Sequence, residues 1–126
     1  MDRWFGEYLD AFAVCGRGER ETPSLLEYYG VPLLVTTDDG FFALTSEEQV
    51  VGAVQPQIKG MRAAGYVRTE VIASDLTVVN AVSALYRGTF AYHGSGGGEF
   101  RRFTATYLVT ERAPGRRISV LAVHSP

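Results

Sequence analysis

The stretch "TSEEQVVGAVQPQIKGMRAAGYVRTEVIASDLTVV", residues 45–79, decides the fold, because its hydrophobic period changes partway along. In the first part Val50, Val54, Ile58 and Met61 fall on one helical face. Thr45 and Ser46 precede that face, and each has an acid or amide three residues on, Glu48 and Gln49. This is the pattern of a capping box, which satisfies amides left bare at a helix start. Pro56 inside the segment removes one amide donor and presses its ring on the carbonyl of Gly52, four residues back. A glycine there lets the backbone tilt, so one kinked helix is expected rather than two. Gly65 supplies the stop. From Tyr66 the period is two, the mark of a half-buried strand.

Downstream, the alternating pattern continues in runs separated by turns. The first run turns near Asn80-Ala81, "VSALYRGTFAYH" is closed by "GSGGG", and "EFRRFTATYLVT" is closed by "ERAPG" before "RRISVLAVH". The glycine loop has no lysine and no helix after it, so it reads as a hairpin connection and not as a phosphate cradle. Upstream, residues 3–15 carry Trp4, Tyr8, Phe12 and Cys15 at helical spacing, with Phe5 and Leu9 widening the stripe. Gly16 stops that helix. In "TPSLLEYYG", Thr22 caps and Pro23 opens a short second helix ending at Gly30. "VPLLVTT" then reads as a strand, with Pro32 at an edge or opening position. Asp39-Gly40 suits a two-residue type I′ reversal, and "FFAL" returns as its partner. Helices, a hairpin, a long helix and an antiparallel meander make an α+β domain over residues 1–126, with no linker and no repeat.

Composition narrows the classes of function. The 126 residues are 46% hydrophobic and 21% charged, with 12 Lys and Arg against 14 Asp and Glu, a net charge of −2. No basic surplus invites a nucleic-acid backbone, and the apolar runs are too short for a membrane span. No secretory signal is evident in "MDRWFGEYLDAF", and the lone Cys15 permits no intramolecular disulfide, so the cytoplasm is the expected compartment. Nothing in the residues calls for a metal or another cofactor: His93 and His124 stand near a loop and near the end, with no third ligand beside them.

The stretches "WFGEYLDAF", "LLEYYGVPLLVTTDDGFFAL", "TSEEQVVGAVQPQIKGM", "LTVVNAVSALYRGTF" and "YLVTERAPGRRISVLAVHS" give the chain a resemblance to the NTF2-like superfamily. That group is also called cystatin-like or SnoaL-like, and it includes the ketosteroid isomerases. The resemblance implies a curved sheet wrapped round a long helix as a cone, a pocket at its open end, and pairing of two subunits through their sheets. In ketosteroid isomerase an aspartate base works with a tyrosine and a protonated aspartic acid that hold the oxyanion. Carried over, the tyrosine falls on Tyr8. The base falls near Thr36, two residues short of Asp38, and the protonated acid falls near Ala105. One role of three survives, so that isomerisation is not expected.

Placing the remaining groups requires a strand register. With His93 opposite Glu99, Leu85, Phe103 and Tyr107 share one face, and Tyr86, Phe90 and Leu108 share the other. Both faces then carry large apolar groups, and a homodimer covers the second. Arg87 joins Leu85 between Phe103 and Tyr107. If Tyr107 pairs with Val120, His124 joins the same face. The expected binding residues are thus Trp4, Tyr8, Phe12, Tyr29, Met61, Arg87, Phe103, Tyr107 and His124. They suit a small, largely apolar or anionic molecule with a carbonyl or carboxylate. The second reading is a cofactor-independent SnoaL-like isomerase, dehydratase or cyclase, with His124 or Asp38 as base and Tyr8 and Arg87 stabilising an oxyanion. A third is a dimer whose hollow is filled by its own side chains. Asp38 and Asp39 have a plain explanation as turn residues.

Overall fold

In the computed structural model, which describes residues 2–124, two α-helices and one 3₁₀ helix pack on a six-stranded sheet. Helix α1 spans Asp2–Gly16 and the 3₁₀ helix Thr22–Glu27. Strands β1 (Tyr29–Thr37) and β2 (Gly40–Leu44) precede helix α2 (Glu47–Ala63). Strands β3 (Tyr66–Asn80), β4 (Ser83–Gly94), β5 (Glu99–Arg112) and β6 (Gly115–His124) follow. The sheet order is β2-β1-β6-β5-β4-β3, with β1 and β6 parallel and every other pair antiparallel. This is the α+β architecture the sequence leads one to expect. No described helix is long and apolar enough to cross a membrane.

Helix α2 begins as its sequence dictates. The Ser46 hydroxyl accepts the Gln49 amide at 3.1 Å, and the Gln49 side chain reaches back to accept the Thr45 amide at 2.7 Å. Val50, Val54, Ile58 and Met61 are its buried face. The helix runs unbroken through Pro56. Both Pro56 and Gly52 are exposed, so the carbonyl freed by the missing amide faces water rather than the core. At the far end Gly65 takes a φ of +72°, and Arg62 reaches from the last turn to the carbonyls of Cys15 (3.0 Å) and Arg20 (2.9 Å). One guanidinium thus terminates α1 and joins the two helices.

Three local expectations need correction. The second helix is 3₁₀ and stops at Glu27; Tyr29 and Gly30 already belong to β1. Thr22 is its first residue and not its cap, and its hydroxyl is buried without a partner. The reversal between β1 and β2 is not type I′: Thr37 pairs with Gly40, neither aspartate has positive φ, and only Gly40 does (+146°). Pro32 is the fourth residue of β1 and precedes its pairing with β2, which begins at Leu33, so it occupies an unpaired position as expected. It sits where the β1–β6 register breaks, between Tyr29 and Leu34, so its missing amide costs no ladder bond there. Arg112 donates to the carbonyls of Val31 (3.2 Å) and Pro32 (3.3 Å) across that break.

The consequential departure is in the meander. His93 does face Glu99, but Tyr92 faces Arg101, which leaves Phe100 as an extra residue on β5. Beyond this bulge every pairing is displaced by one. Tyr86 faces Tyr107, Gly88 faces Ala105 and Phe90 faces Phe103. A second irregularity, between Leu108 and Val109, pairs Tyr107 with Leu121 rather than Val120. A one-residue slip exchanges the two faces of a strand. Tyr86, Phe90, Phe103 and Tyr107 therefore all turn toward the helices and are buried, while Leu85 and Leu108 turn the other way among threonines.

The core that results is aromatic. Phe5 stacks on Tyr86 with centroids 3.7 Å apart and meets Tyr107 edge-on at 4.8 Å. Gly88 has a steric reason to be glycine, because a Cβ there would fall on the Phe90 ring. Gly60, exposed in α2, has open space where a Cβ would go. Gly88→Ala is expected to destabilise the protein by about 1–3 kcal/mol through overpacking. Gly60→Ala is expected to stabilise it by roughly 0.5–1 kcal/mol through helix propensity. Urea denaturation of both variants checks the opposite signs.

Candidate functional site

Where α1, α2 and the concave side of the sheet meet, a cavity of about 50 Å³ remains. Helix α1 contributes Tyr8, Leu9 and Phe12, and α2 contributes Gln57. Tyr29, Thr69, Phe90 and Tyr92 come from β1, β3 and β4. Alternation along β5 brings Arg101, Phe103, Ala105 and Tyr107, and β6 adds Leu121 and Val123. The helical stripe and the shifted register converge here.

The polar atoms are mostly phenols. The hydroxyls of Tyr8 and Tyr29 lie 2.7 Å apart, and that of Tyr107 lies against Tyr8. Gln57 donates its amide to the Tyr92 hydroxyl at 3.0 Å. Burial pushes Tyr8, Tyr29, Tyr92 and Tyr107 well above the ordinary phenol range. At Tyr92 the positive charge of Arg101 partly opposes that rise. All four phenols are therefore neutral at physiological pH and act as hydrogen-bond donors, not bases. Among the described residues, no carboxylate and no imidazole lines the cavity.

Arg101, Phe103 and Val123 also border a groove of about 600 Å³, whose other walls are Thr37, Asp38, Asp39, Arg102 and His124. The Arg101 guanidinium lies 4.8 Å over the Phe103 ring. Arg102 is tied to Glu99 at 2.6 Å. Asp38 and Asp39 are exposed at the hairpin tip.

Of the residues expected from sequence, Tyr8, Phe12, Tyr29, Phe103 and Tyr107 meet at this cavity. The others do not. Arg87 is exposed on the opposite side of the sheet, beside Asp75, because the Phe100 bulge reverses the face. His124 pairs with Thr104 on that side, and its Nε2 is 2.8 Å from the Thr106 hydroxyl. It reaches only the outer groove, as does Asp38. Trp4 packs half-buried against Phe5 and Tyr28, and Met61 is core away from the cavity. Apolar groups do stand on both faces, with Leu85, Leu108 and Val120 on the outer one, but the aromatic residues of β4 and β5 named above gather on the inner one. Sequence reasoning missed Arg101, Gln57, Thr69 and Tyr92. Period two backward from Phe103 reaches Arg101, and period two forward from Phe90 reaches Tyr92, so those two were recoverable.

The general-base arrangement drawn from His124 or Asp38 with Tyr8 and Arg87 therefore does not assemble: these groups lie in different places. What does assemble is a neutral, donor-rich hollow with one cation at its rim.

Comparison with known proteins places this geometry in a family. The family described as NTF2-like protein (DUF6841) matches residues 1–126. An NTF2-like protein of unknown function from Pseudomonas putida KT2440 superposes with a TM-score of 0.73 at 11% identity, covering 98% of this chain and 85% of that one. One from Shewanella oneidensis MR-1, also of unknown function, gives 0.71 at 11% identity, with 96% of each chain covered. Yeast UBP3-associated protein BRE5 gives 0.68 at 14% identity, covering 93% of this chain and 89% of its own. No curated protein matches. At these identities the structural likeness concerns the fold. The chain belongs to the NTF2-like family DUF6841.

Proposed function

We propose that this protein binds a small molecule in the aromatic hollow and acts as a carrier or sensor rather than as a catalyst. The observation that supports this most directly is the chemistry of the lining. Neutral phenols, an amide and a guanidinium can orient a ligand, but none of them is poised to take a proton from carbon at physiological pH. Size sets the mode of binding. Ligand pockets commonly measure about 300–1,000 Å³, so a hollow of about 50 Å³ holds one small group while the remainder lies in the groove outside.

The same reading includes a homodimer through the outer side of the sheet, supported by Leu85, Leu108 and Val120 standing among threonines there. It also includes the cytoplasm, which suits a free, buried Cys15.

Native mass spectrometry of the purified protein tests the ligand and the dimer together. The expected spectrum has twice the chain mass plus a small co-purified molecule. Ala105→Leu, which fills the hollow, is expected to lose the added mass and keep the dimer. An unliganded monomer from the unaltered protein contradicts both parts. Alkaline titration tests the state of the phenols. Their folded-state pKa values are raised, so their contribution is intact below the unfolded value of about 10 and is lost as pH rises beyond it. Stability is expected to fall above about pH 10, with phenolate absorbance from the buried tyrosines appearing together with unfolding. Full ionisation of all tyrosines in the native protein would contradict the assignment.

A further inference from the structure

The hollow has more hydrogen-bond donors than acceptors. The hydroxyls of Tyr29, Tyr8 and Tyr107 share two contacts in a row, so one of their three protons remains to be given elsewhere. The Tyr92 hydroxyl accepts from Gln57, which frees its own proton as well. Arg101 brings further N–H donors at the rim, and among the described residues it is ion-paired with no carboxylate. Its charge is felt inside, where it opposes the effect of burial at Tyr92. Among the described residues, no carboxylate lines the hollow to absorb these donors.

We propose that the ligand is a monocarboxylate that enters head first, its carboxylate held between the Arg101 guanidinium and the phenol hydroxyls while its uncharged body lies in the groove on Phe103 and Val123. This rests on the binding reading above and specifies the ligand class. A carboxylate has only a few heavy atoms, which suits a hollow of about 50 Å³. It accepts about four hydrogen bonds, and a charge taken out of water needs an opposite charge and donors to meet it. The groove sets the rest of the specificity. Asp38 and Asp39 on its wall, where Arg102 is already paired with Glu99, disfavour a second negative charge, so the ligand is anionic at one end only.

Phenylacetate and its uncharged analogue phenylacetamide probe this in the intact protein, with binding followed by NMR of the tyrosine rings. Phenylacetate is expected to shift the ring signals of Tyr8, Tyr29, Tyr92 and Tyr107, and phenylacetamide to bind about tenfold more weakly or worse. Arg101 is exposed and meets the core only at the Phe103 ring, so Arg101→Gln preserves the fold. This variant is expected to weaken phenylacetate by about tenfold or more and to leave the amide unchanged. Equal binding of acid and amide, with Arg101→Gln indifferent to both, overturns the carboxylate assignment and leaves the binding reading standing. Ring signals that neither probe moves overturn both.

Discussion

Phe100 is the residue on which the rest of this structure depends. It is the extra residue of β5 where that strand leaves the glycine loop, and because it has no partner on β4 every pairing beyond it shifts by one. A strand has no intermediate setting, since its side chains point to one face or to the other. The bulge therefore sends Tyr86, Phe90, Phe103 and Tyr107 together toward the helices. Without it, Leu85 and Arg87 would stand where the aromatic floor now lies. The stacking of Phe5 on Tyr86 and the meeting of Tyr8 with Tyr107 follow from that choice. So does the position of Arg101 at the rim.

How much of this could be read in advance depends on what each feature needs in order to be defined. A helix carries its own period, so the buried face of α2 and the cap at Ser46 were legible from residues alone. The inward positions of Tyr8 and Phe12 were legible for the same reason. The succession of meander strands was legible because Asn80 and the glycine loop mark the turns. A strand's facing is different, because it depends on a partner and on the count of residues between them. Pairing His93 with Glu99 was right, yet it misplaced Arg87, because the bulge begins at the next residue, and His124 was misplaced by the second irregularity, between Leu108 and Val109. Phe103 and Tyr107 stayed together because both lie on β5 four residues apart, and the bulge changes only what they face on β4. Arg101 lies on the same alternation and was overlooked in favour of an arginine deeper in a strand. The missed hairpin type and the missed end of the second helix have another cause: tertiary context overrode local preference at Asp39 and at Tyr29.

The site is defined by what the core leaves unfilled. Most of the concave side of the cone is occupied by the protein's own rings, which stabilise it and leave about 50 Å³ among hydroxyls. Burial makes those hydroxyls reluctant to ionise, and clustering them leaves donors in surplus. The acidic and imidazole groups that could serve as bases are kept in the groove outside or on the far side of the sheet. A scaffold shared by proteins with many activities carries in this chain a lining rich in hydrogen-bond donors, and the distinction lies in a few positions rather than in the architecture.

The register between β4 and β5 is the central claim, and backbone NOEs measured in solution test it most directly. The account predicts cross-strand contacts pairing Tyr86 with Tyr107 and Phe90 with Phe103, with Phe100 left out of the ladder. Contacts pairing Leu85 with Tyr107 and Thr89 with Phe103 would contradict it, and they would return Arg87 to the concave side.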